Sequence, residues 1–182
     1  MTDSEVRREP IIRPLCAGDA EALLRFYQGL SEATVHFYEP YRDITLQVME
    51  DVLARVVSGQ DVARVLATPV GEIVGHALLM NIAAAEPTLG IGIADRWQNR
   101  GFGPRLMAEV LAEADARPEV QAVILTVNKK NTRALALYQR FGFTIYDECE
   151  HREPGDSYRM RRPKSAAQSA RSVEGRADAA SP

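Results

Sequence analysis

The chain carries a glycine-spaced turn made of Gln98, Asn99, Arg100, Gly101, Phe102 and Gly103. An apolar run at residues 88–94 precedes this turn and predicts a strand, and a helical pattern follows from about 101 to 116. The first N–H groups of a helix have no partner inside the helix, and the helix dipole makes that end positive. Because glycine has no Cβ, the backbone here can approach an anion closely. The turn therefore predicts a binding site for a phosphate or pyrophosphate group.

A second pattern lies downstream at residues 131–143 and has the form N-x-x-A-x-x-L-Y-x-x-x-G-F. It follows a β-type run at residues 122–127. Together, the two patterns resemble the acetyl-CoA site of the GNAT superfamily of N-acetyltransferases. The resemblance extends over about residues 11–162, and it is sharpest between Leu89 and Phe143.

The resemblance implies that acetyl-CoA is bound as the co-substrate and that no metal ion is needed. Backbone amides of residues 99–103 would hold the pyrophosphate, in the same loop as Gln98. Main-chain groups of Ile91 and Ile93 would pair with the pantetheine arm, and the N–H of Ile93 would polarise the thioester carbonyl. Asn131 would bind the pantetheine or the 3′-phosphate region, and it is also a candidate N-cap for the helix that follows.

Tyr138 lies at the position of the family's general acid, which would protonate the departing CoA thiolate. A phenol has an ordinary pKa near 10 and a thiol one near 8.5, so this proton transfer needs help from geometry or from the local field. The alternative is that Tyr138 packs on an apolar helical face with Leu135 and Phe141. The motif around Tyr138 favours the catalytic role.

The general base is harder to assign. In the related ribosomal-protein N-terminal acetyltransferases a glutamate stands on the strand before this helix, and Thr126 occupies that position here. A threonine cannot take a proton at neutral pH, which disfavours acetylation of ribosomal protein N-termini. Glu86, at the mouth of the strand before the glycine-spaced turn, is the candidate base, directly or through water; the alternative is a solvated charge at a strand edge. We expect His76, in the middle of a strand, to be a packed histidine.

Composition narrows the class of protein. A chain of 182 residues, 46% of them hydrophobic, can form one domain with a substantial core. The net charge of -3 argues against a nucleic-acid partner. No apolar run is long enough to span a membrane. The first residues lack the apolar core of a signal peptide, so we expect a cytoplasmic protein. Cys16 and Cys149 lack metal-ligand or redox spacing and are expected to be buried or half-buried thiols.

The chain divides into a flexible N-terminus at residues 1–10, a single acetyltransferase domain at 11–162 and a disordered tail at 163–182, where apolar side chains are rare. The predicted strands are 11–15, 62–67, 72–82, 88–94, 120–127, 143–150 and 157–161. The predicted helices are 20–30, 44–57 with Asp43 as its N-cap, 101–116 and 131–141. This α/β order is that of the GNAT fold, in which helices flank a mixed central sheet with a splayed strand pair.

In this superfamily two segments choose the acceptor: the segment between the first two helices and the last hairpin. The first, a predicted loop, holds Glu32, His36, Phe37, Tyr38, Glu39, Tyr41 and Asp43. The second holds Asp147, Glu148, Glu150, His151, Arg152 and Glu153. Acidic and aromatic side chains together favour a cationic amine.

Several alternatives stay open at the level of sequence. The amine could be a small molecule, a polyamine, an amino acid or a protein amine, and the protein a monomer or a homodimer. The alternative to an enzyme is a non-catalytic acyl-CoA-binding sensor or regulatory module. A third alternative is transfer of a larger acyl group.

Overall fold

In a computed structural model of the chain, residues 9–38, 40–150 and 153–164 are described. The expected flexible N-terminus and disordered tail lie outside these ranges, apart from the residues at 9–10 and 163–164. The chain forms two compact units, which are described separately below. The first comprises Met1–Leu78 and Ile91–Val110, and the second comprises Leu79–Gly90 and Leu111–Pro182.

The helices and strands follow one another in the predicted order, with one helix more than expected. The helices are α1 (Ala20–Gln28), α2 (Glu32–Phe37), α3 (Leu46–Val57), α4 (Phe102–Asp115) and α5 (Thr132–Arg140). The strands are β1 (Ile11–Pro14), β2 (Val62–Ala67), β3 (Ile73–Met80), β4 (Thr88–Ile93), β5 (Ala122–Asn128), β6 (Thr144–Cys149) and β7 (Ser157–Pro163). They form a sheet in the order β1-β2-β3-β4-β5-β7-β6. The β4–β5 pair is parallel and the β1–β2, β5–β7 and β6–β7 pairs are antiparallel, so the predicted mixed sheet is confirmed.

The first unit forms its core from strand residues and from helix residues spaced three or four apart. Strand β3 is buried along nearly its whole length. Helix α1 buries Leu23, Phe26 and Tyr27, and helix α3 buries Met49, Val52 and Leu53. This spacing places the apolar side chains of each helix on one face, which is the pattern that predicted both helices.

Two local predictions in the first unit are wrong. The segment expected to be a loop after α1 contains α2, whose N-cap Ser31 accepts a hydrogen bond from the backbone N–H of Thr34 at 3.3 Å. Helix α3 begins at Leu46 rather than at 44, because Thr45 and not Asp43 caps it through the backbone N–H of Val48 at 3.3 Å. In both places a hydroxyl satisfies a donor that the helix leaves unpaired.

The second unit is organised by the long pairing of β5 with β7, whose register runs from Ala122 opposite Pro163 to Asn128 opposite Ser157. Strand β7 thus extends beyond the predicted end at residue 161. In the described part of the chain, the register of β4 against β5 contains one pair, Thr88 with Ile124. The ladder described between these two strands is therefore short, and their splay stays a prediction.

Three observations concern features expected from composition. Cys16 is exposed, so its expected burial is wrong, whereas Cys149 is half-buried as expected. Across residues 9–38, 40–150 and 153–164, no cluster of three or more His, Cys, Asp or Glu side chains could hold a metal ion. None of the helices in those ranges combines the length and the apolar character needed to cross a membrane.

Candidate active site

The glycine-spaced turn presents unpaired backbone donors at the beginning of α4. Asn99 and Gly101 both have positive φ angles, of 60° and 80°, and α4 begins at the next residue, Phe102. Within the described chain, the N–H groups of residues 99–103 donate no hydrogen bond to the protein. Pro104 lies in the first turn of α4, where its missing N–H costs the helix no bond. This geometry suits a pyrophosphate.

Two rings of the same region hold arginine side chains beside the turn. The guanidinium of Arg100 lies 4.9 Å from the ring centroid of Trp97. The guanidinium of Arg105 lies 5.7 Å from the ring centroid of Phe102. A guanidinium on an aromatic face keeps its charge while losing freedom, so Arg100 is placed to add attraction for a phosphate. The guanidinium of Arg105 also pairs with the carboxylate of Glu9 at 3.7 Å.

Gln98 has a different role from its neighbours in the turn. Its side-chain amide donates to the carbonyl oxygen of Ile93 at 3.0 Å and to the hydroxyl of Thr34 at 3.2 Å. The side chain is therefore used to fix the end of β4 and the beginning of the turn. The sequence motif predicted Gln98 as a cofactor-binding residue, and these contacts give it a structural task inside the protein.

Near the end of β4, the main-chain N–H groups of Ile91 and Ile93 point away from β3. The N–H of Ala94 donates to the carbonyl oxygen of Val74, in β3, at 2.9 Å. Because successive N–H groups of a strand point to opposite edges, the N–H groups of Ile93 and Ile91 point to the other edge of β4. Main-chain donors with this direction are what the predicted pairing with the pantetheine arm and the thioester requires.

Tyr138 lies in the second unit, on α5, and its ring packs edge-on against Phe143 with 5.8 Å between the centroids. The residue is buried, with 8% of its surface exposed, and burial raises the pKa of its phenol to about 12. Among the described residues its hydroxyl has no hydrogen-bond partner. The phenol is thus protonated at physiological pH and able to donate a hydrogen bond to a ligand, although burial moves its pKa further above that of a thiol.

Two asparagines shape the beginning of α5. Asn131 is the N-cap, and its side chain accepts from the N–H of Ala134 at 3.1 Å, as the sequence predicted. Asn128, which sequence reasoning missed, is buried at the end of β5. Its side chain accepts from the N–H of Lys130 at 2.9 Å and donates to Asp156 at 3.3 Å. The sequence offered one signal for Asn128: it is a polar residue at the end of a strand, three residues before the helix cap.

The two candidate positions for a general base differ in the chemistry they offer. Glu86 precedes β4, and its carboxylate accepts from Nε of Arg161 at 2.8 Å. Thr126 is exposed in the middle of β5 and carries no group that could take a proton. Glu86 therefore stays the candidate base, and the carboxylate must leave or share Arg161 before it can accept a proton from an amine.

Two of the four acidic residues that favoured a cationic acceptor in the last hairpin form ion pairs. Asp147 pairs with Arg159 at 2.9 Å, and Glu148 pairs with Lys129 at 2.6 Å. His151 and Arg152, named with them, lie outside the described residues. These pairs offset part of the negative charge that the sequence alone suggested for this segment.

A buried polar cluster in the first unit is built around His76. Nδ1 of His76 lies 2.8 Å from the hydroxyl of Tyr27, which lies 3.0 Å from the hydroxyl of Tyr38. His76 has no exposed surface, and its Nε2 has no hydrogen-bond partner among the described residues. Burial lowers the pKa of His76 to about 4, so the imidazole is neutral at physiological pH. The expectation of a packed histidine is confirmed.

This burial makes the fold sensitive to acid. Between the ordinary pKa of 6.5 and the folded value of about 4, the unfolded chain binds a proton at His76 that the folded chain does not. Stability therefore falls as the pH falls, by about 2 kcal/mol between about pH 7 and pH 5 for this group. Glutamine does not titrate. We therefore expect the stability of His76→Gln to fall by about 2 kcal/mol less than that of the parent between about pH 7 and pH 5. Urea unfolding of both proteins at both pH values measures it, and an equal pH dependence would contradict the assignment.

A hydrogen-bond network joins α2 to the chain that follows β4. Asp95 accepts from the backbone N–H and hydroxyl of Ser31 at 3.0 and 2.6 Å, and from the hydroxyl of Thr34 at 2.7 Å. Partial burial raises the pKa of Asp95, but these hydrogen bonds outweigh it and lower that pKa to about 2. The carboxylate is ionised at all physiological pH values, so the network is permanent under those conditions.

Comparison with known proteins connects this geometry to a family. The family model described as "Acetyltransferase (GNAT) family" matches residues 23–143. An L-amino acid N-acetyltransferase of Escherichia coli (strain K12) is 32% identical over 80 residues, which cover 41% of this chain and 49% of that protein. The chain thus spans about half the length of the curated relative that it matches.

Solved structures share the fold. An acetyltransferase of the GNAT family from Streptococcus pneumoniae has a TM-score of 0.74 at 26% identity, covering 86% of this chain and 100% of that one. A spermidine N-acetyltransferase from Vibrio cholerae, in complex with CoA and spermine, has a TM-score of 0.68 at 19% identity, covering 86% and 96%. A ribosomal-protein-alanine N-acetyltransferase from Brucella melitensis has a TM-score of 0.69 at 23% identity, covering 84% and 99%. At identities under 25%, the last two show the fold alone.

Proposed function

Because this chain belongs to the GNAT acetyltransferase family, we propose that it transfers the acetyl group of acetyl-CoA directly to a primary amine. The observation that carries the proposal is the turn at residues 99–103, whose N–H groups are unpaired and open the helix α4. Backbone donors in that arrangement bind a pyrophosphate, which is the charged part of CoA nearest to the pantetheine arm. Related proteins named for acetylation of spermidine, an amino acid or a ribosomal protein support an amine acceptor.

In the proposed reaction, the nitrogen of a neutral amine attacks the thioester carbon. The N–H of Ile93, directed away from β3, stabilises the negative charge that develops on the carbonyl oxygen. The C–S bond then breaks, and Tyr138 supplies the proton that the thiolate takes up. The amine nitrogen loses its surplus proton to a base, and the phenolate of Tyr138 is reprotonated from solvent.

We assign the base to Glu86, whose carboxylate is the candidate at the beginning of β4. Arg161 holds this carboxylate at 2.8 Å and orients it, so proton uptake accompanies a weakening of that ion pair. Such a pair is partly exposed, with 42% of the Glu86 side chain accessible. Water can therefore carry a proton between the amine and the carboxylate.

We expect Glu86→Gln to lower kcat/KM for the amine by about a hundredfold at neutral pH, as loss of a general base does. The affinity for CoA should stay the same, because the amide preserves the shape of the side chain. Steady-state kinetics at several pH values measure the change. Glu72→Gln is the matched control, since Glu72 is also an exposed carboxylate paired with an arginine, Arg96. An equal and small effect of both substitutions would remove Glu86 from the mechanism.

The function is tested by release of free thiol from acetyl-CoA in the presence of amine acceptors. The set of acceptors should include L-amino acids, polyamines and peptides with a free N-terminus. Turnover with any of them supports the enzyme. Binding of CoA in calorimetry without turnover on the whole set would instead support the alternative, a non-catalytic acyl-CoA-binding module. The ion-paired state of Glu86 is the observation that favours this alternative.

A further inference from the structure

A cavity of about 540 Å³ in the first unit is lined by helix α1, by the beginning of β3 and by residues 94–96, which join β4 to the glycine-spaced turn. Its floor is apolar and includes the buried side chains of Phe26 and Ile73. Its rim consists of four exposed, charged residues: Arg25, Glu72, Asp95 and Arg96. A concave space of this volume, with an apolar floor and a few polar groups, is typical of small-molecule sites.

The cavity lies on the side of β4 that faces β3, away from the groups assigned to the donor. Glu72 and Ile73, where β3 begins, form part of its wall together with Ala94. The N–H of Ala94 donates to β3, whereas the N–H groups of Ile91 and Ile93 point to the opposite edge of β4. A ligand in this cavity would therefore not occupy the predicted path of the pantetheine arm.

The cavity and the aromatic cluster around His76 lie on different flanks of α1. The residues of α1 and its C-cap that line the cavity are spaced three or four apart and share one flank: Ala22, Arg25, Phe26 and Gly29. Tyr27, whose hydroxyl contacts His76, lies about 160° around the helix from Arg25. None of the described residues that line the cavity belongs to the segment between the first two predicted helices, which the family resemblance links to the acceptor.

The four charged side chains of the rim differ in how far their charges are already engaged. The carboxylate of Asp95 accepts three hydrogen bonds from the beginning of α2. Glu72 and Arg96 form an ion pair. Among the described residues, Arg25 has one ion pair, with Glu21 at 3.5 Å, and both side chains are largely exposed. An exposed pair at that distance contributes little, so the guanidinium of Arg25 is available to a ligand.

An available guanidinium beside an apolar floor suits a carboxylate that is attached to an apolar body. The planar fork of N–H donors on Arg25 matches the two oxygens of a carboxylate. The floor would cover the hydrocarbon part of the ligand, which removes apolar surface from water. An ammonium group would instead have to compete with the present partners of Glu72 and Asp95.

We propose that this cavity binds a small organic carboxylate with an apolar body, with Arg25 as its main ionic partner and at a site separate from that of acetyl-CoA. Arg96 adds a second cation at the rim, because a guanidinium has five N–H donors and Glu72 accepts from one of its nitrogens. Residues 94–96 lead directly into the glycine-spaced turn, so the ligand would be held next to the beginning of that turn. The inference does not depend on the proposed function, because it is tested by binding and not by turnover.

The test uses phenylacetate as the probe and compares it with its neutral and cationic counterparts, phenylacetamide and phenethylamine. Calorimetry measures the affinity of the full chain for each compound, with and without saturating CoA. We expect phenylacetate to bind about tenfold more tightly than the other two, the effect of one charge-assisted hydrogen bond. CoA should leave its affinity unchanged. Absence of phenylacetate binding, equal affinity for phenylacetamide, tighter binding of phenethylamine, or displacement of phenylacetate by CoA would each overturn the inference.

Three variants at exposed positions locate the binding in the cavity. Arg25→Gln should weaken the affinity for phenylacetate by about tenfold, because the charge-assisted pair is lost. Glu72→Gln should strengthen it, since a repelling carboxylate is removed and Arg96 is released. Arg159→Gln is the matched control and should change nothing, because Arg159 is also an exposed arginine paired with a carboxylate, that of Asp147 at 2.9 Å. Thermal unfolding checks that all three variants are folded.

Two results with these variants would contradict the assignment. If Arg25→Gln and Arg159→Gln have the same affinity for phenylacetate, the carboxylate is not held at the rim of this cavity. If Glu72→Gln weakens the binding of phenylacetate, the site does not select a negative charge. Either result would overturn the inference and leave the proposed function as it stands.

Discussion

Tyr138→Phe is expected to lower kcat by about a hundredfold while the affinity for acetyl-CoA is retained, because loss of a general acid costs a factor of this order. The ring of Tyr138 packs against Phe143, and phenylalanine keeps that packing. The hydroxyl, which has no partner in the described protein, is removed. Its proton is needed only as the C–S bond breaks, so kcat and kcat/KM should fall together. Steady-state kinetics and calorimetry with CoA measure the two effects.

The pKa of Tyr138 determines how the defect of Tyr138→Phe should depend on pH. Burial raises the pKa of Tyr138 to about 12, so the phenol stays protonated from about pH 6 to pH 9 and cannot cause an alkaline fall in activity there. The defect of Tyr138→Phe should therefore be equal across that range. Tyr146→Phe, at an exposed tyrosine, is the control and should behave as the parent. Parent-like turnover by Tyr138→Phe would make Tyr138 a packing residue and leave water as the proton source.

Gly101→Val is expected to weaken CoA binding by tenfold or more, about 1.4 kcal/mol at least. A Cβ on Gly101 meets no protein atom within 4 Å, so the substitution fits the space inside the protein. The side chain instead occupies the place where the pyrophosphate would approach the backbone. The φ angle of 80° is also unfavourable for valine, which adds a loss of stability of about 1–2 kcal/mol.

A second glycine separates these two effects. Gly71 has a φ of 83° and equally open surroundings, but it lies in the turn between β2 and β3. Gly71→Val should therefore lose a similar amount of stability and retain full affinity for CoA. Calorimetry with CoA and thermal unfolding, applied to both variants, measure the difference. The same small loss of affinity in both would show that residues 99–103 do not hold the pyrophosphate.

The parts of the fold that the sequence predicted are those governed by local chemistry. The turn before α4 has Gly101 at a φ angle of 80°, which favours glycine, and Asn131 caps α5 as an asparagine before a helix commonly does. The buried faces of α1 and α3 follow from the spacing of their apolar residues. Each of these features depends on residues within a few positions of one another.

The features that sequence reasoning missed depend on contacts between distant residues. Helix α2 has no apolar stripe, and it is held by Asp95, more than sixty positions away in the chain. The ion pair of Glu86 with Arg161 joins residues 75 positions apart. The contact of Tyr38 with Gly92 is likewise invisible in the order of the residues. Patterns of spacing carry no information on such pairs.

The network around Asp95 bears on how much of α2 can be exchanged without disturbing the glycine-spaced turn. Ser31, the N-cap of α2, and Thr34 both bond to Asp95, and Thr34 also bonds to Gln98, so α2 and the beginning of the turn share their anchors. We expect a transplanted segment that lacks these two hydroxyls to disturb the turn. Recombination or directed evolution should vary the stretch after Thr34 more freely, because the anchors are then kept.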